Sequence, residues 1–167
     1  HDALPIYESI QLAPMVEEIF TDLTPLAEKS GITLELAGDG VMTGSDALIY
    51  RMIFNLTENA IKYNRPDGSV QVCITQEPEK LLILVSDTGR GIPEEYQQSI
   101  FQPFFRVDKS RSRTFGGAGL GLALVWEIAA LHGGSVRVAE SSDSGTTIAA
   151  ELPRSGNHAT DPKNETL

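Results

Sequence analysis

The chain is poor in cysteine, with a single one, Cys73, among 167 residues. One thiol cannot form a disulfide within the chain, so we expect a reducing compartment and a fold that depends on its apolar core. Apolar runs long enough to cross a bilayer are also missing, because the longest, LGLALVWEIAALHGG, is too short and is interrupted by Glu127. No charged-then-apolar leader opens the sequence either. We therefore expect a soluble domain without direct membrane contact.

Positive charge is scarce: 13 lysines and arginines stand against 23 aspartates and glutamates, which leaves a net charge of −10. A phosphate backbone would be repelled by this field, so a nucleic-acid partner is excluded. The local exception is RVDKSRSR, residues 106–113, where four cations fall within eight positions. On charge alone this segment is a solvated loop.

Hydrophobic residues make up 41% of the chain, enough for one domain with a sizeable core. Helical spacing of apolar residues predicts a first helix over 12–30, with a kink or break at Pro25. Alternation predicts a strand over 32–36, and we expect a short strand over 41–43 to pair with it. A second helix is predicted from an N-cap at Ser45 to about Tyr63.

The rest of the chain continues this mixture of helices and strands. The other predicted elements are a third helix over 119–132 and strands over 69–76, 80–87, 134–140 and 145–152. Because neighbouring strands are close enough for hairpins, the pattern predicts a two-layer α/β sandwich, a mostly antiparallel sheet covered on one face by helices. We place this domain at residues 1–152 and expect a disordered tail over 153–167.

The second helix carries an unusual polar edge next to its apolar face. Asn59 lies within the margin of that face, Asn55 borders it, and Lys62 continues it by one turn. A buried amide without a partner costs about 1–3 kcal/mol, so these amides should be bonded to backbone, water, metal or ligand. Oxygen ligands followed by an ammonium group suit Mg²⁺ and the phosphates that it bridges. Satisfaction by nearby backbone is the alternative.

A second polar site follows the hydrophobic strand in LLILVSDTGRGIP. The strand ends at Asp87, and Gly89 and Gly91 allow close approach of the backbone to whatever binds there. Asp-Thr-Gly is also the active-site triplet of aspartic proteases, but the long helices and the lack of a second triplet argue against that class. A simple turn is the remaining alternative.

Glycines also precede the third helix, in GGAGLGLAL at residues 116–124. Gly117, Gly119 and Gly121 leave amide N–H groups exposed near a helix N-terminus, which is a geometry that binds anions. No Gly-Lys-Ser/Thr follows and no strand immediately precedes, so neither a P-loop nor a dinucleotide fingerprint is present. Beside such a site, the basic run 106–113 is better explained as a cationic flap over phosphates.

Four stretches in order, NLTENAIKYN, DTGRGIP, FQPFFR and GGAGLGLAL, with GTT near the end, resemble the N, G1, F, G2 and G3 boxes of the sensor histidine kinase catalytic domain. The resemblance spans roughly residues 10–152. This domain belongs to the ATPase group shared with gyrase, Hsp90 and the mismatch-repair protein MutL. The resemblance implies a domain with a Bergerat-type fold, which binds ATP and Mg²⁺ and transfers the γ-phosphoryl group to a histidine.

The resemblance also implies roles for individual residues. It assigns Asn59 to Mg²⁺, Asn55 to the metal and phosphate edge, and Lys62 to the phosphates, and these three form the predicted catalytic set. Asp87 would accept the adenine amino group, and Thr146 would help through water. The other implied ATP contacts are Tyr63, Gly89, Gly91, Ile92, Phe104, Phe105, Arg106, Gly117, Gly119, Leu120, Gly121 and Leu122, with residues 107–116 as a mobile lid. For Leu120 and Leu122, core packing is an equal alternative.

One position departs from the gyrase-like relatives, in which a glutamate that activates water stands where this chain has Asn55. An amide removes the general base for hydrolysis and favours transfer to a protein. None of His1, His132 and His158 has the setting of the family's phosphoacceptor, and His132 is best explained by helix termination. The acceptor would thus lie on a histidine-bearing dimerization hairpin outside this chain.

The implied partners are that hairpin and, downstream, the receiver domain of a response regulator. The resemblance further implies a homodimeric full-length protein and a cytoplasmic domain of a receptor anchored in a bacterial inner membrane. Two rival functions stay open at this point. One is a nucleotide-binding regulatory remnant without transfer activity, and the other is a serine kinase of the anti-sigma type, which shares the fold.

Overall fold

A computed structural model of the chain describes residues 6–103 and 121–155. These residues form two β-sheets and three α-helices, with strands and helices interspersed along the chain. The elements in chain order are β1 Tyr7–Gln11, α1 Leu12–Lys29, β2 Thr33–Gly38, β3 Val41–Ser45, α2 Asp46–Lys62, β4 Ser69–Gln76, β5 Lys80–Asp87, α3 Ala123–Leu131, β6 Ser135–Ser142 and β7 Gly145–Pro153. Two short 3₁₀ helices, Glu94–Tyr96 and Ser99–Phe101, follow β5.

The larger sheet has the strand order β2-β4-β5-β7-β6 in the described residues. β2 runs parallel to β4, and the other neighbours are antiparallel. Alternation explains the layers: in β4, Val70, Val72 and Ile74 are buried towards the helices, whereas Gln71 and Thr75 are exposed on the other face. The predicted two-layer α/β sandwich with a mostly antiparallel mixed sheet is confirmed.

Helix α2 supplies much of the core and begins where its sequence predicts. The hydroxyl of Ser45 accepts a hydrogen bond from the backbone N–H of Leu48 at 3.3 Å, and Asp46 lies in the first turn, where the helix dipole favours an anion. Most of its apolar stripe is buried, and each leucine, isoleucine or methionine in it contributes about 1.5–3 kcal/mol when buried. The buried members are Ile49, Met52, Ile53, Leu56, Ala60 and Ile61.

The pairing of the short strand β3 differs from the sequence-based expectation. β3 pairs antiparallel with β1, from Tyr7 opposite Ser45 to Gln11 opposite Val41, and not with β2. Within the described residues, β2 pairs with β4. β1 itself has only one buried residue, Ile10, so its sequence carries no alternation by which it could be recognised.

Helix α1 runs from Leu12 to Lys29, close to the predicted 12–30, and is not broken at Pro25, which was one of the two outcomes expected there. Proline removes one backbone donor, and the exposed position of Pro25 lets water bind the carbonyl that loses its partner. α3 begins at Ala123, whereas the sequence predicts a start at residue 119. Residues 104–120 lie outside the described part. β7 extends to Pro153, and residues 156–167 of the tail predicted to be disordered also lie outside it.

Candidate functional site

The predicted polar residues meet where β5 and β7 reach the C-terminal half of α2. Asp87 is the last residue of β5 and pairs with Val70, so it shares the helix-covered face of the sheet. Thr146 lies near the start of β7, is 5% exposed, and has the same strand parity as the buried Ile148. The inward direction that the sequence predicts for Thr146 is therefore observed.

The carboxylate of Asp87 is held by backbone amides at one oxygen. Oδ1 accepts hydrogen bonds from the N–H of Gly89 at 2.8 Å and from the N–H of Thr146 at 3.1 Å. Burial raises the pKa of the Asp87 carboxyl above its usual range, and these two backbone hydrogen bonds lower it in part. Within the described residues both donors bind Oδ1, so Oδ2 remains to accept from a ligand.

Gly89 and Gly91 stand where no larger residue fits. A Cβ on Gly89 would lie 2.5 Å from the backbone oxygen of Tyr63, and one on Gly91 would lie 2.2 Å from the backbone oxygen of Ser142. Gly91 also has a φ of +81°, a conformation that side chains rarely adopt. The loop after β5 thus packs directly against the end of α2 and against β6.

On α2, the side chains of Asn55 and Asn59 are half-buried, and both residues lie in the half of the helix that ends at Tyr63. Lys62 is 51% exposed in its side chain and forms an ion pair with Glu58, Nζ to Oε1 at 3.3 Å. The two side chains reach each other because residues four apart on a helix are neighbours. An exposed pair of this kind contributes only about 0.3–0.5 kcal/mol, so Lys62 can exchange Glu58 for a phosphate at little cost.

Tyr63 caps the C-terminal end of α2, where its backbone N–H donates to the backbone oxygen of Asn59 at 3.0 Å. The ring is half-buried, and burial raises the pKa of its phenol, which keeps it neutral at physiological pH. Ile92, also half-buried, donates its backbone N–H to the hydroxyl of Ser141 at 2.8 Å. The backbone of Tyr63 lies against Gly89, and Ser141 also bonds Thr146, so both residues lie beside the loop that follows Asp87.

The glycine-rich segment is only partly described. Gly121 is exposed with a φ of +64°, and Leu122 is 1% exposed and packs in the core at the start of α3. For Leu122 the core alternative is the one observed, and a contact with nucleotide stays a prediction. The predicted site residues outside the described part are Phe104, Phe105, Arg106, Gly117, Gly119 and Leu120, together with the lid 107–116.

Two sets of residues at this site were not predicted from the sequence. Thr88 donates its hydroxyl to Oδ1 of Asn64 at 2.9 Å and accepts the backbone N–H of Ser69 at 2.9 Å, which ties the end of α2 to β4 and β5. The turn residues in NRPDG and the Asp-Thr-Gly triplet are the signals for this network. Ser141 bonds Ile92 and Thr146, and strict alternation along β6 could not have found it.

A metal ion at this site would depend on ligands other than a cluster of carboxylates. Among the described residues, no group of three or more His, Cys, Asp and Glu side chains is placed to hold one. Amide oxygen and phosphate oxygens are what Mg²⁺ uses when it is bound together with a nucleotide, and α2 presents two amides beside a lysine. The residues present therefore fit Mg²⁺ brought in with phosphates.

Comparison with known proteins places this arrangement in context. A family model described as histidine kinase-, DNA gyrase B-, and HSP90-like ATPase matches residues 44–156. The sensor histidine kinase RppB of Synechocystis is 34% identical over 145 residues, which cover 85% of this chain and 32% of RppB. The sensor-like histidine kinase SenX3 of Mycolicibacterium smegmatis is 34% identical over 154 residues, 91% of this chain and 40% of SenX3. The chain thus spans less than half the length of either relative.

Among solved structures, the nucleotide-free catalytic domain of histidine kinase ThkA has a TM-score of 0.79 at 24% identity, over 90% of this chain and 99% of that domain. ThkA has also been solved in complex with the response regulator protein TrrA. At this identity the likeness establishes the fold. No helix among the described residues has both the length and the apolar character needed to span a membrane.

Proposed function

Because the chain belongs to the histidine kinase-, DNA gyrase B- and HSP90-like ATPase family, we propose that it is the ATP-binding catalytic domain of a two-component sensor histidine kinase. The reaction is transfer of the γ-phosphoryl group of ATP to a histidine on the dimerization hairpin of the same protein. The observation that carries the proposal is the position of the Asp87 carboxylate, which two backbone amides hold at the end of β5, beside the loop that packs against the end of α2.

The base of ATP binds at the end of β5. Oδ2 of Asp87 accepts a hydrogen bond from the exocyclic amino group of adenine, and the two backbone amides on Oδ1 keep the carboxylate in place. Gly89 and Gly91 form the wall beside the ring, with Ile92 and Tyr63 as apolar neighbours. The hydroxyl of Thr146 contacts the base through one water.

The phosphates extend along α2 towards Lys62. Asn55 and Asn59 supply amide oxygens, and Lys62 leaves its weak ion pair with Glu58 to neutralise phosphate charge. Asn59 would hold Mg²⁺, which would offset the negative charge of the phosphates. Arg106, Gly117, Gly119 and Gly121 complete the phosphate side, and transfer depends chiefly on positioning and charge neutralisation.

Transfer to a protein, in preference to hydrolysis, follows from the residues near the phosphates. Asn55 is an amide and cannot take a proton from water, so it supplies no general base at the position where the gyrase-like relatives have a glutamate. An acceptor histidine, by contrast, brings its own nucleophilic nitrogen.

The proposal implies partners that the chain itself does not contain. These are the histidine-bearing hairpin of the full-length protein and the receiver domain of a response regulator, in line with the ThkA–TrrA complex. The full-length protein is a homodimer anchored in a bacterial inner membrane, with this domain in the cytoplasm. Within the chain, the catalytic domain extends at least to residue 152, and the sequence of the residues after 155 predicts disorder.

The test combines binding with reconstitution. The chain should bind ATP in a calorimetric titration, and it should label the separately produced hairpin segment of its full-length protein when γ-labelled ATP and Mg²⁺ are added. The label should be lost in acid, because phosphohistidine is acid-labile. Asn59→Ala should reduce Mg²⁺-dependent labelling by at least about tenfold, since one ligand and one phosphate contact are removed.

Three results would contradict the proposal. A chain that does not bind ATP would show that the proposed nucleotide site is wrong. ATP binding without labelling of the hairpin would indicate a regulatory module, and an acid-stable label on a partner would indicate a serine kinase.

A further inference from the structure

An irregularity in β6 turns one serine towards the candidate site. The register between β6 and β7 shifts between Val138 and Glu140, so that Val138 pairs with Ile148 but Ser141 pairs with Thr146. Strict alternation from Val138 would direct Ser141 away from the helices. The extra residue reverses the parity, as β-bulges do near functional sites. Ser141 therefore shares the face of Thr146.

The hydroxyl of Ser141 makes two hydrogen bonds there. Its Oγ accepts the backbone N–H of Ile92 at 2.8 Å and lies 2.8 Å from Oγ1 of Thr146. A serine hydroxyl has one proton and two acceptor positions. The N–H of Ile92 occupies one acceptor position of the Ser141 hydroxyl, and the hydroxyl proton of Ser141 can be donated to Oγ1 of Thr146. The hydroxyl proton of Thr146 is then available for another acceptor.

These bonds join the two sides of the site. Thr146 donates its backbone N–H to Oδ1 of Asp87 at 3.1 Å, and Ile92 follows the glycines that shape the loop after β5. Ser141 is half-buried and Thr146 is buried, so the pair is shielded from exchange with bulk water. Asp87, Thr146, Ser141 and Ile92 thus form one continuous hydrogen-bonded chain around the base-binding end.

We propose that Ser141 is a positioning residue for base selection: it orients the Thr146 hydroxyl as a donor and thereby favours adenine over guanine. The proposal rests on the ATP-binding function proposed above. Adenine presents an amino donor beside a ring-nitrogen acceptor, whereas guanine presents a carbonyl acceptor beside an N–H donor. An acceptor at Asp87 and an outward donor at Thr146 match adenine, directly or through one water, and oppose guanine at both positions.

The test is Ser141→Ala in the full chain, with calorimetric titration of ATP and of GTP. The Kd for ATP should rise about tenfold, because one oriented hydrogen bond is worth about 1.4 kcal/mol. The Kd for GTP should change by less than about twofold, so the preference for ATP narrows. Ser141→Thr keeps the hydroxyl and should restore the parent preference.

The sheet offers a matched control in the neighbouring pair of strands. Ser86 and Thr147 form the same kind of hydroxyl pair, Oγ to Oγ1 at 2.8 Å, next to Asp87 and Thr146 but with the opposite strand parity. Ser86→Ala should leave both nucleotide affinities within about twofold of the parent. Hydrogen exchange at the Ile92 amide should accelerate in Ser141→Ala and not in Ser86→Ala.

The outcomes separate this proposal from the one on which it rests. If the parent chain binds no ATP, the proposed function fails and base selection fails with it. If the parent binds ATP but Ser141→Ala keeps the parent ratio of ATP to GTP affinity, only the role of Ser141 is overturned. Faster exchange at Ile92 with an unchanged ratio would show that Ser141 merely supports the loop.

Discussion

Asp87 has to be both partly buried and charged, and these demands oppose each other. Burial disfavours the carboxylate and raises its pKa, while the amides of Gly89 and Thr146 offset only part of that effect. The folded protein thus holds the Asp87 proton more tightly than the unfolded chain does. The free energy of unfolding is therefore reduced as pH rises from the ordinary aspartate pKa through the raised one.

Asp87→Asn should consequently separate function from stability. The amide still accepts from both backbone N–H groups but carries no charge, so the free energy of unfolding at neutral pH should be unchanged or higher. ATP affinity should fall by about 100-fold, because a charged acceptor of the amino group is lost. Calorimetric titration and thermal melting measure the two effects.

Asp143→Asn is the control for charge alone, since Asp143 is an exposed aspartate in the turn between β6 and β7. Its variant should match the parent in ATP affinity. Unchanged ATP binding in Asp87→Asn would refute the role given to this carboxylate. A stability gain that persisted below the ordinary aspartate pKa would refute its electrostatic origin.

At the level of elements, His132 joins the end of α3 to the start of α2. The ring is 2% exposed; its Nε2 is 3.1 Å from the backbone N of Ser45, and its Nδ1 is 2.8 Å from the backbone O of Ile128. An N–H can only donate and a carbonyl can only accept, so the ring must be neutral with its proton on Nδ1. The sequence predicts helix termination as the role of His132, and the structure adds a hydrogen bond to Ser45, the residue that caps α2.

Replacing His132 with phenylalanine should therefore weaken the packing of α2. The backbone N–H of Ser45 would lose its acceptor in a buried place, at a cost of about 1–3 kcal/mol in the free energy of unfolding. Urea denaturation followed by circular dichroism measures this cost. Leu131→Ala, at a neighbouring position that is 54% exposed, should shift the midpoint far less. Equal midpoints for both variants would refute the structural role of this ring.

At the level of the whole molecule, the two sheets are joined through Arg154. Its backbone N–H donates to the backbone oxygen of Glu79, and its backbone oxygen accepts from Thr43 in β3, both at 2.9 Å. Its guanidinium donates to the backbone oxygens of Val41, Glu77 and Pro78 at 3.1–3.3 Å. These contacts favour a domain boundary after Ser155, three residues beyond the one expected from sequence.

Truncation should locate that boundary. A chain ended after Leu152 loses the bonds of Arg154, and its free energy of unfolding should fall by about 2–4 kcal/mol. A chain ended after Ser155 should unfold like the full chain, because the sequence of the removed residues predicts disorder. Urea midpoints for the three chains measure this difference. A full loss of stability that occurred only on removing residues 156–167 would contradict the boundary.

Much of this molecule could be inferred from short-range patterns. Alternation in β4 and β5 and the apolar stripe of α2 are local and repeat with known periods, so the layers and the inward face of Thr146 could be predicted. Asp87 was identifiable because a carboxylate that ends a buried strand before two glycines needs a partner. The resemblance to known boxes added the roles expected of these groups.

The remaining features depend on contacts between distant parts of the chain. The sequence of β1 has too little alternation for its pairing with β3 to be predicted. His132 forms a hydrogen bond with Ser45, which is 87 positions away in the sequence. Ser141 faces the site only because the register between β6 and β7 shifts, which no count along one strand reveals. Strand pairing and buried hydrogen bonds depend on which backbone and side-chain polar groups still lack a partner when the sheet and helices pack together. Which groups these are is defined only in the tertiary structure.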